Sequence, residues 1–375
     1  MKLSVSQQQL AQGLGIVSRA VSPRSTLPVL ANVLLATDEG RLRLSATNLE
    51  LGISSWIGAQ IQEDGSITVP ARLLSDLIST LPNDIVTMAV NMSTCTLQVK
   101  CGSSSTEIKG IDAQEFPPMP ATDISEGLRI KVSDFKEMIQ QVTFAASSDE
   151  ARPVLQGVQT NVNSSDITMV ATDGFRVSVR KVALEEGTRK PSTLIIPARA
   201  LNELARIATD GDSMMGIIVP PGRGQVVFRL EAAELVSQLI DGNFPDYKVI
   251  VPRAFKAHTI LSTSALLKAC RQAEIIARNG NNVVRLNLQP GGERPGQVEV
   301  TAQSEETGSN ETMIDANIEG PAMVVAFNVR FLREVLEVIK TPNLVLETND
   351  HKSPAKVQPV GDESFQHVIM PMHLG

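Results

Sequence analysis

At 375 residues, 42% apolar and 20% charged, the chain is long enough for two or three domains that each bury a core, and its composition excludes disorder. No apolar run approaches the roughly 18 residues of a membrane helix. Met1-Lys2-Leu3-Ser4-Val5 leads straight into Gln7–Gln9 with no apolar signal core, so a cytoplasmic protein is expected. A formal net charge of -7 excludes a uniformly basic nucleic-acid binder, which leaves the distribution of charge to decide.

In chain order, Leu10, Leu14, Val17 and Val21 give residues 7–21 the spacing of an amphipathic helix. The turn Asp38-Glu39-Gly40 leads into the alternation Arg41-Leu42-Arg43-Leu44, a strand. Leu74, Leu77, Ile78 and Leu81 predict a second helix over 71–80. Cys95 and Cys101 fall in a strand-like stretch, too far apart along it to bridge. With Cys270 they form an odd set without metal-ligand spacing, so reduced thiols are expected. Phe135, Met138, Ile139, Val142, Ala145 and Ala146 predict a helix over 133–147, and Leu201, Leu204, Ala205 and Ala208 another over 199–208. Leu266, Cys270, Ala273 and Ala277 do so for 264–278, and Leu332, Val335, Leu336 and Ile339 for 330–340. Strands such as Gln297-Val298-Glu299-Val300 fill the remainder.

The elements repeat. Leu27-Pro28-Val29-Leu30 returns as Arg152-Pro153-Val154-Leu155, and Ala46-Thr47-Asn48-Leu49 as Ala171-Thr172-Asp173-Gly174, both 125 positions on. Val69-Pro70-Ala71-Arg72 returns as Ile196-Pro197-Ala198-Arg199, and Glu115-Phe116-Pro117 as Asn243-Phe244-Pro245. A fainter third copy shows in Val283-Val284-Arg285-Leu286, Ala326-Phe327-Asn328-Val329 and Ile369-Met370-Pro371. Three domains, 1–125, 126–253 and 254–375, are expected, each α+β with antiparallel sheets and two helices on one face.

The six helix windows together carry +4, which leaves -11 for the remainder. A basic helical surface on an acidic body suits sequence-independent phosphate contact. Signs of chemistry are few. Gly13-Leu14-Gly15 lies within a helix and lacks the third glycine of a dinucleotide fingerprint. The Gly/Pro stretches 220–224 and 291–296 lack the Lys-Ser/Thr of a phosphate loop. His258, His351, His367 and His373 are scattered, and Glu305, Glu306 and Glu311 read as a solvated turn. No metal or cofactor is expected. Aromatics at 3% argue against a stacking platform for single strands. A sequence-specific DNA-binding regulator would need a groove-reading helix module, and an enzyme of duplicated domains a convergent polar site; neither is evident.

Over essentially its whole length the chain resembles the bacterial β sliding clamps of the replicative DNA polymerase. The resemblance is carried by Ala171-Thr172-Asp173-Gly174-Phe175-Arg176, by Asp241-Gly242-Asn243-Phe244-Pro245-Asp246-Tyr247 and by the ending Val368-Ile369-Met370-Pro371-Met372-His373-Leu374. Thr26-Leu27-Pro28-Val29-Leu30 and Phe327-Asn328-Val329 support it. The resemblance implies a head-to-tail homodimer around duplex DNA, its interface using Thr106 and Ile108 of one copy and Ile275 and Ile276 of the other. Twelve helices at about 10 Å spacing give an axis-to-axis diameter of roughly 38 Å, enough for a duplex once a helix width is subtracted. Arg24, Arg72, Arg199 and Lys268 would contact phosphates. Partners implied are the polymerase α subunit, the clamp-loader δ subunit and other polymerases and repair proteins that insert a short peptide. The resemblance places their cleft at Leu155, Thr172, Gly174, Phe175, Arg176, Val177, Pro245, Ile250, Asn328, Phe331, Val368, Met370, Pro371 and Met372. Phe175 stands where many members have His, Pro153-Val154 replaces an aromatic pair, Val249 replaces a basic residue and Gly375 extends the ending.

Overall fold

The computed structural model describes residues 1–23, 25–120, 127–185, 187, 191–209, 211, 213–222, 224–292 and 295–373. The first repeat runs β1 (Lys2–Ser6), α1 (Gln7–Val17), β2 (Asn32–Asp38), β3 (Arg41–Thr47), β4 (Leu51–Gly58), β5 (Gln60–Glu63) and β6 (Ser66–Pro70). It continues with α2 (Ala71–Thr80), β7 (Ile85–Asn91), β8 (Thr96–Cys101) and β9 (Ser104–Lys109). The second runs β10 (Leu128–Lys131), α3 (Val132–Val142), β11 (Gly157–Val162), β12 (Asp166–Thr172), β13 (Arg176–Ala183) and β14 (Ser192–Pro197). After these come α4 (Ala198–Ile207), β15 (Met214–Ile218), β16 (Gln225–Arg229) and β17 (Ala233–Gln238). The third runs β18 (Ala257–Ser262), α5 (Thr263–Ala277), β19 (Val283–Gln289), β20 (Gly296–Ser304) and β21 (Gly308–Glu319). It ends with β22 (Met323–Asn328), α6 (Val329–Val338), β23 (Asn343–Thr348), β24 (Ala355–Pro359) and β25 (Phe365–Ile369).

Local chemistry accounts for these elements. The β2–β3 hairpin turns through Glu39 at φ 47° and Gly40 at φ 76°, the left-handed pair that matches strand twist. α1 tolerates Gly13 because a Cβ there would lie 2.6 Å from Leu44 Cδ1, so the glycine sets how closely the helix meets its sheet. α5 is capped by Ser262, whose Oγ accepts from the Ala265 amide at 3.3 Å.

Five expectations are corrected. The helix expected over 7–21 ends at Val17, where a 3-10 turn, Ser18–Ala20, follows and Val21 is extended. The helix expected over 133–147 ends at Val142, where Thr143 Oγ1 bonds back to the Ile139 carbonyl and a single 3-10 turn, Thr143–Ala145, follows. The last helix ends at Val338, with Ile339 extended and Lys340 beyond it; Pro342 disfavours helical backbone at the residue before it. Cys95 sits at φ 50° in the β7–β8 turn rather than in a strand, and Glu311 belongs to β21 rather than to a loop. All three cysteines are free.

Every strand pair is antiparallel, in sheets ordered β5-β1-β7-β8-β9, β10-β15-β16-β17-β4-β3-β2-β6 and β14-β11-β12-β13-β25-β24-β23-β18-β21-β20-β19-β22. Packing divides the chain into two compact units, Met1–Ser133 with Arg199–Leu239, and Asp134–Ala198 with Ile240–Gly375. Repetition and packing therefore have different boundaries, because two sheets run from one repeat into the next. In the first unit α1 buries Leu10, Leu14 and Val17. In the second, α5 and α6 share a core with Phe327, Phe365 and Ile369. No helix of the described residues is long and apolar enough to cross a membrane.

Candidate peptide-binding cleft

β13 and β25 join the second and third repeats within the second unit, with Arg176 opposite Ile369, Val177 opposite Val368 and Ser178 opposite His367. The turn entering β13 is built from its own side chains. Thr172 Oγ1 donates to the Arg176 carbonyl at 2.7 Å and accepts from the Gly174 amide at 3.1 Å. Asp173 Oδ1 accepts from the Phe175 and Arg176 amides at 2.9 and 3.1 Å. Gly174 takes φ +95°, which a side chain would strain. Phe175 is consequently held outward, 60% exposed.

Arg176 points the other way and is 6% exposed. Its Nε donates to Asp173 Oδ2 at 3.0 Å, its NH1 to Glu334 Oε2 of α6 at 2.5 Å and its NH2 to the Phe144 carbonyl at 2.7 Å. The guanidinium lies 4.1 Å from the Phe331 ring centroid and 5.4 Å from that of Phe144. Planarity and a forked donor set let one arginine tie a strand, a helix and a turn together, which lysine could not do. Beside it His367 is fully buried, its Nδ1 2.6 Å from Ser178 Oγ and its ring centroid 5.4 Å from that of Phe144. Burial, and then the neighbouring Arg176 charge, push its pKa down to about 3, so the ring is neutral.

On the opposite sheet face Val170, Val177, Val179 and Val368 form an apolar floor, against which Phe244, Tyr247, Ile250 and Val251 pack. The chain end supplies a wall. The Met370 amide donates to the Phe175 carbonyl at 2.9 Å and the Met372 amide to the Ala326 carbonyl at 2.8 Å. Met370 stays 37% exposed beside Phe175. Asn328 caps α6, its Oδ1 accepting from the Arg330 and Phe331 amides, and so orients the helix that carries Phe331 and Glu334. Phe175 and Met370 are the exposed apolar groups here, an aromatic and an adaptable methionine, over a valine cluster that Phe244, Tyr247, Ile250 and Val251 cover.

Of the expected cleft residues, the fold brings together Thr172, Gly174, Phe175, Arg176, Val177, Ile250, Val368 and Met370, with Phe331 joined through Arg176 and Met372 through Ala326. Leu155 ends the turn begun by Arg152, whose NH1 donates to the Asp173 carbonyl at 3.2 Å. Pro371 is partly buried between the two tied methionines. Pro245 lines a cavity farther along the same sheet face, which Phe244 and Tyr247 also line. Sequence reasoning missed Phe144, Ser178, Glu334 and His367. Only Asp173 had a signal, the Thr-Asn/Asp pair shared with Thr47-Asn48.

Among the expected phosphate contacts, Arg72 of α2 is 95% exposed with Asp76 3.8 Å away. Arg199 and Lys268 are exposed, with no ion pair among the described residues. Arg24 lies outside the described residues. Four further helical cations are paired within the chain: Arg19 and Arg206 with Glu203, Arg271 and Arg333 with Glu337. Pairing leaves Arg206 and Arg271 59% and 58% exposed, so the basic groups of the helix windows stay at the surface.

The expected interface residues divide. Ile275 is 59% exposed, while Ile276 packs partly against the core of the third repeat. Ile108 is only 3% exposed, contrary to an apolar contact made by its side chain. Strand alternation turns it with Leu97 toward the interior and leaves Ser105, Glu107 and Lys109 outside. Thr106 is partly buried on the same strand. No cluster of three metal-binding side chains occurs among the described residues.

Family models for the DNA polymerase III beta subunit match the chain in three pieces: N-terminal domain over 1–120, central domain over 129–246 and C-terminal domain over 248–373. The beta sliding clamp of Synechococcus elongatus is 36% identical over 380 residues, covering all of both chains. The crystal structure of the Bacillus subtilis DNA polymerase sliding clamp superposes with a TM-score of 0.94 at 27% identity, covering all of both chains. A Pseudomonas aeruginosa sliding clamp bound to griselimycin is similar over the same extent, at 0.92 and 29%.

Proposed function

The chain belongs to the DNA polymerase III beta subunit family, and from that premise we propose that two copies close head to tail into a ring that slides on duplex DNA and holds the replicative polymerase there. It is a non-catalytic accessory subunit, not an enzyme. The observation that carries the ring is a junction made twice within one chain. β4 pairs antiparallel with β17, and β13 pairs antiparallel with β25. Two matching edges then remain. β9 has β8 as its one neighbour, and β21 pairs with β18 only from Ala316 onward, so Gly308–Asp315 are open on that side. Unpaired edges of this kind invite a second chain. Repeating the intrachain register sets Ser104, Ser105, Thr106 and Glu107 of one copy opposite Thr312, Glu311, Asn310 and Ser309 of the other. Asn310 Oδ1 is buried without a hydrogen-bond partner in the single chain, which supports a partner strand there.

Arg72, Arg199, Lys268 and Arg24 then meet phosphates without reading bases, which permits sliding. The cleft takes apolar-anchored peptides of the polymerase α subunit, the clamp-loader δ subunit and other polymerases and repair proteins. Disulfide trapping tests the ring: a chain carrying Ser105→Cys and Glu311→Cys should oxidise to a covalently closed dimer retained on nicked circular plasmid and lost on linearisation. A protein that stays monomeric, or is retained equally on linear DNA, defeats the reading.

A further inference from the structure

The sheet face that forms the valine floor is not apolar throughout. Across the strands β14, β11 and β12, Thr193, Asn161 and Thr168 stand in one row, since Asn161 is the register partner of both threonines. Gln159 follows two residues along β11 and therefore on the same face. With Phe244–Lys248 alongside, this half of the face encloses a cavity of about 620 Å³. Thr193 Oγ1 donates to Asn161 Oδ1 at 3.0 Å, a bond that uses the Asn161 oxygen and not its amide nitrogen, a donor on a residue that lines the cavity. Asp246 and Lys248 at the rim oppose one another in sign. The lining thus offers amide and hydroxyl groups of both hydrogen-bonding senses with no net charge.

The segment Phe244–Val251 has two sides. Tyr247 and Ile250 pack on the valine floor of the cleft, while Phe244, Pro245 and Tyr247 also line the polar cavity. We propose that this cavity is a second binding site, continuous with the cleft, that takes an uncharged, hydrogen-bonding stretch (Ser, Thr, Asn or Gln) flanking the apolar anchor of a docked partner peptide. The inference rests on the cleft being a peptide site. The anchor supplies affinity common to all partners; the polar flank distinguishes among them, because Asp246 and Lys248 already offset one another and the Gln159, Asn161, Thr168 and Thr193 groups are matched by neutral donors and acceptors rather than by added charge.

Three synthetic peptides test it: a Leu-Phe anchor peptide alone, the same with a Ser-Gln-Thr-Gln extension, and the same with a Lys-Glu-Lys-Glu extension, each extension tried at both ends. Two or three neutral hydrogen bonds should make the polar extension bind about tenfold more tightly than the anchor alone. The charged extension should gain nothing. In Asn161→Ala the gain should shrink below about twofold, with anchor-only affinity unchanged. Thr168→Val, which keeps shape and loses the hydroxyl, should give the same direction. A gain that survives both variants, an equal gain from the charged extension, or no gain on the unaltered protein would each overturn the proposal. Failure of the anchor peptide itself to bind would instead overturn the cleft.

Discussion

His367 shows how a single side chain becomes a pH gauge. Folding holds its pKa at about 3, whereas an exposed imidazole titrates near 6.5. Between those values the unfolded chain takes up a proton that the folded chain refuses. The stability associated with the neutral ring is therefore complete above pH 6.5 and is lost as pH falls toward 3, by up to about 1.4 kcal/mol per pH unit. His367→Phe keeps a ring beside Phe144 and removes this group from the titration. Urea midpoints measured from pH 7 to pH 4 should fall less steeply in the variant; parallel curves would show that other groups govern the acid limb. Neither the burial nor the Ser178 contact could be read from Phe365-Gln366-His367-Val368-Ile369, where the histidine resembles any polar residue in a strand.

Among the elements, the chain end carries more than one duty. It follows β25, returns along β22 through the Met372 amide and presents Met370 beside Phe175. The earlier repeats return in the same way, Ile240 bonding the Ile195 carbonyl and Ile111 bonding Thr68. Removing residues 370–375 would thus take away backbone ties as well as the methionine wall, and the melting temperature should drop along with peptide affinity. Met370→Ala separates the two. Losing most of the contact of one anchor, at about 1.5 kcal/mol or more, should weaken an apolar-anchored peptide roughly tenfold or more. Fluorescence anisotropy with an unshifted melting curve is the expected pattern; unchanged affinity would remove Met370 from the cleft. The segment's end was legible from Met370-Pro371-Met372, but its ties to Phe175 and Ala326 were not.

For the whole molecule, two predictions follow from surfaces that a single chain leaves uncovered. Ile275→Ala together with Ile276→Ala should shift sedimentation toward monomer. Ile275 should contribute most, since it is 59% exposed while Ile276 is already partly packed and Ile108 is 3% exposed. An intact dimer would move the closing contact to the strand edges alone. Binding to two unrelated duplexes should be equal and fall steeply with salt. Arg72→Ala, Arg199→Ala and Lys268→Ala should each reduce the log–log salt slope by about 0.9. A sequence preference, or a slope indifferent to all three changes, would refute phosphate contact there.

The sequence by itself determined what recurs locally. Helical periods, hairpin turns and the offsets near 125 depend on residues a few positions apart, and they were enough for an α+β chain of three repeats with two helices each. The Thr-Asn/Asp turn and the methionine ending carried the family resemblance that implied the candidate cleft. Tertiary structure alone decided which edges meet, that Ile108 turns inward, and that Arg176 is bonded to Glu334 158 positions away. The physical reason is that strand pairing and buried charge are satisfied by partners distant along the chain. A guanidinium or an imidazole carries the same local sequence whether it faces solvent or a closed interior.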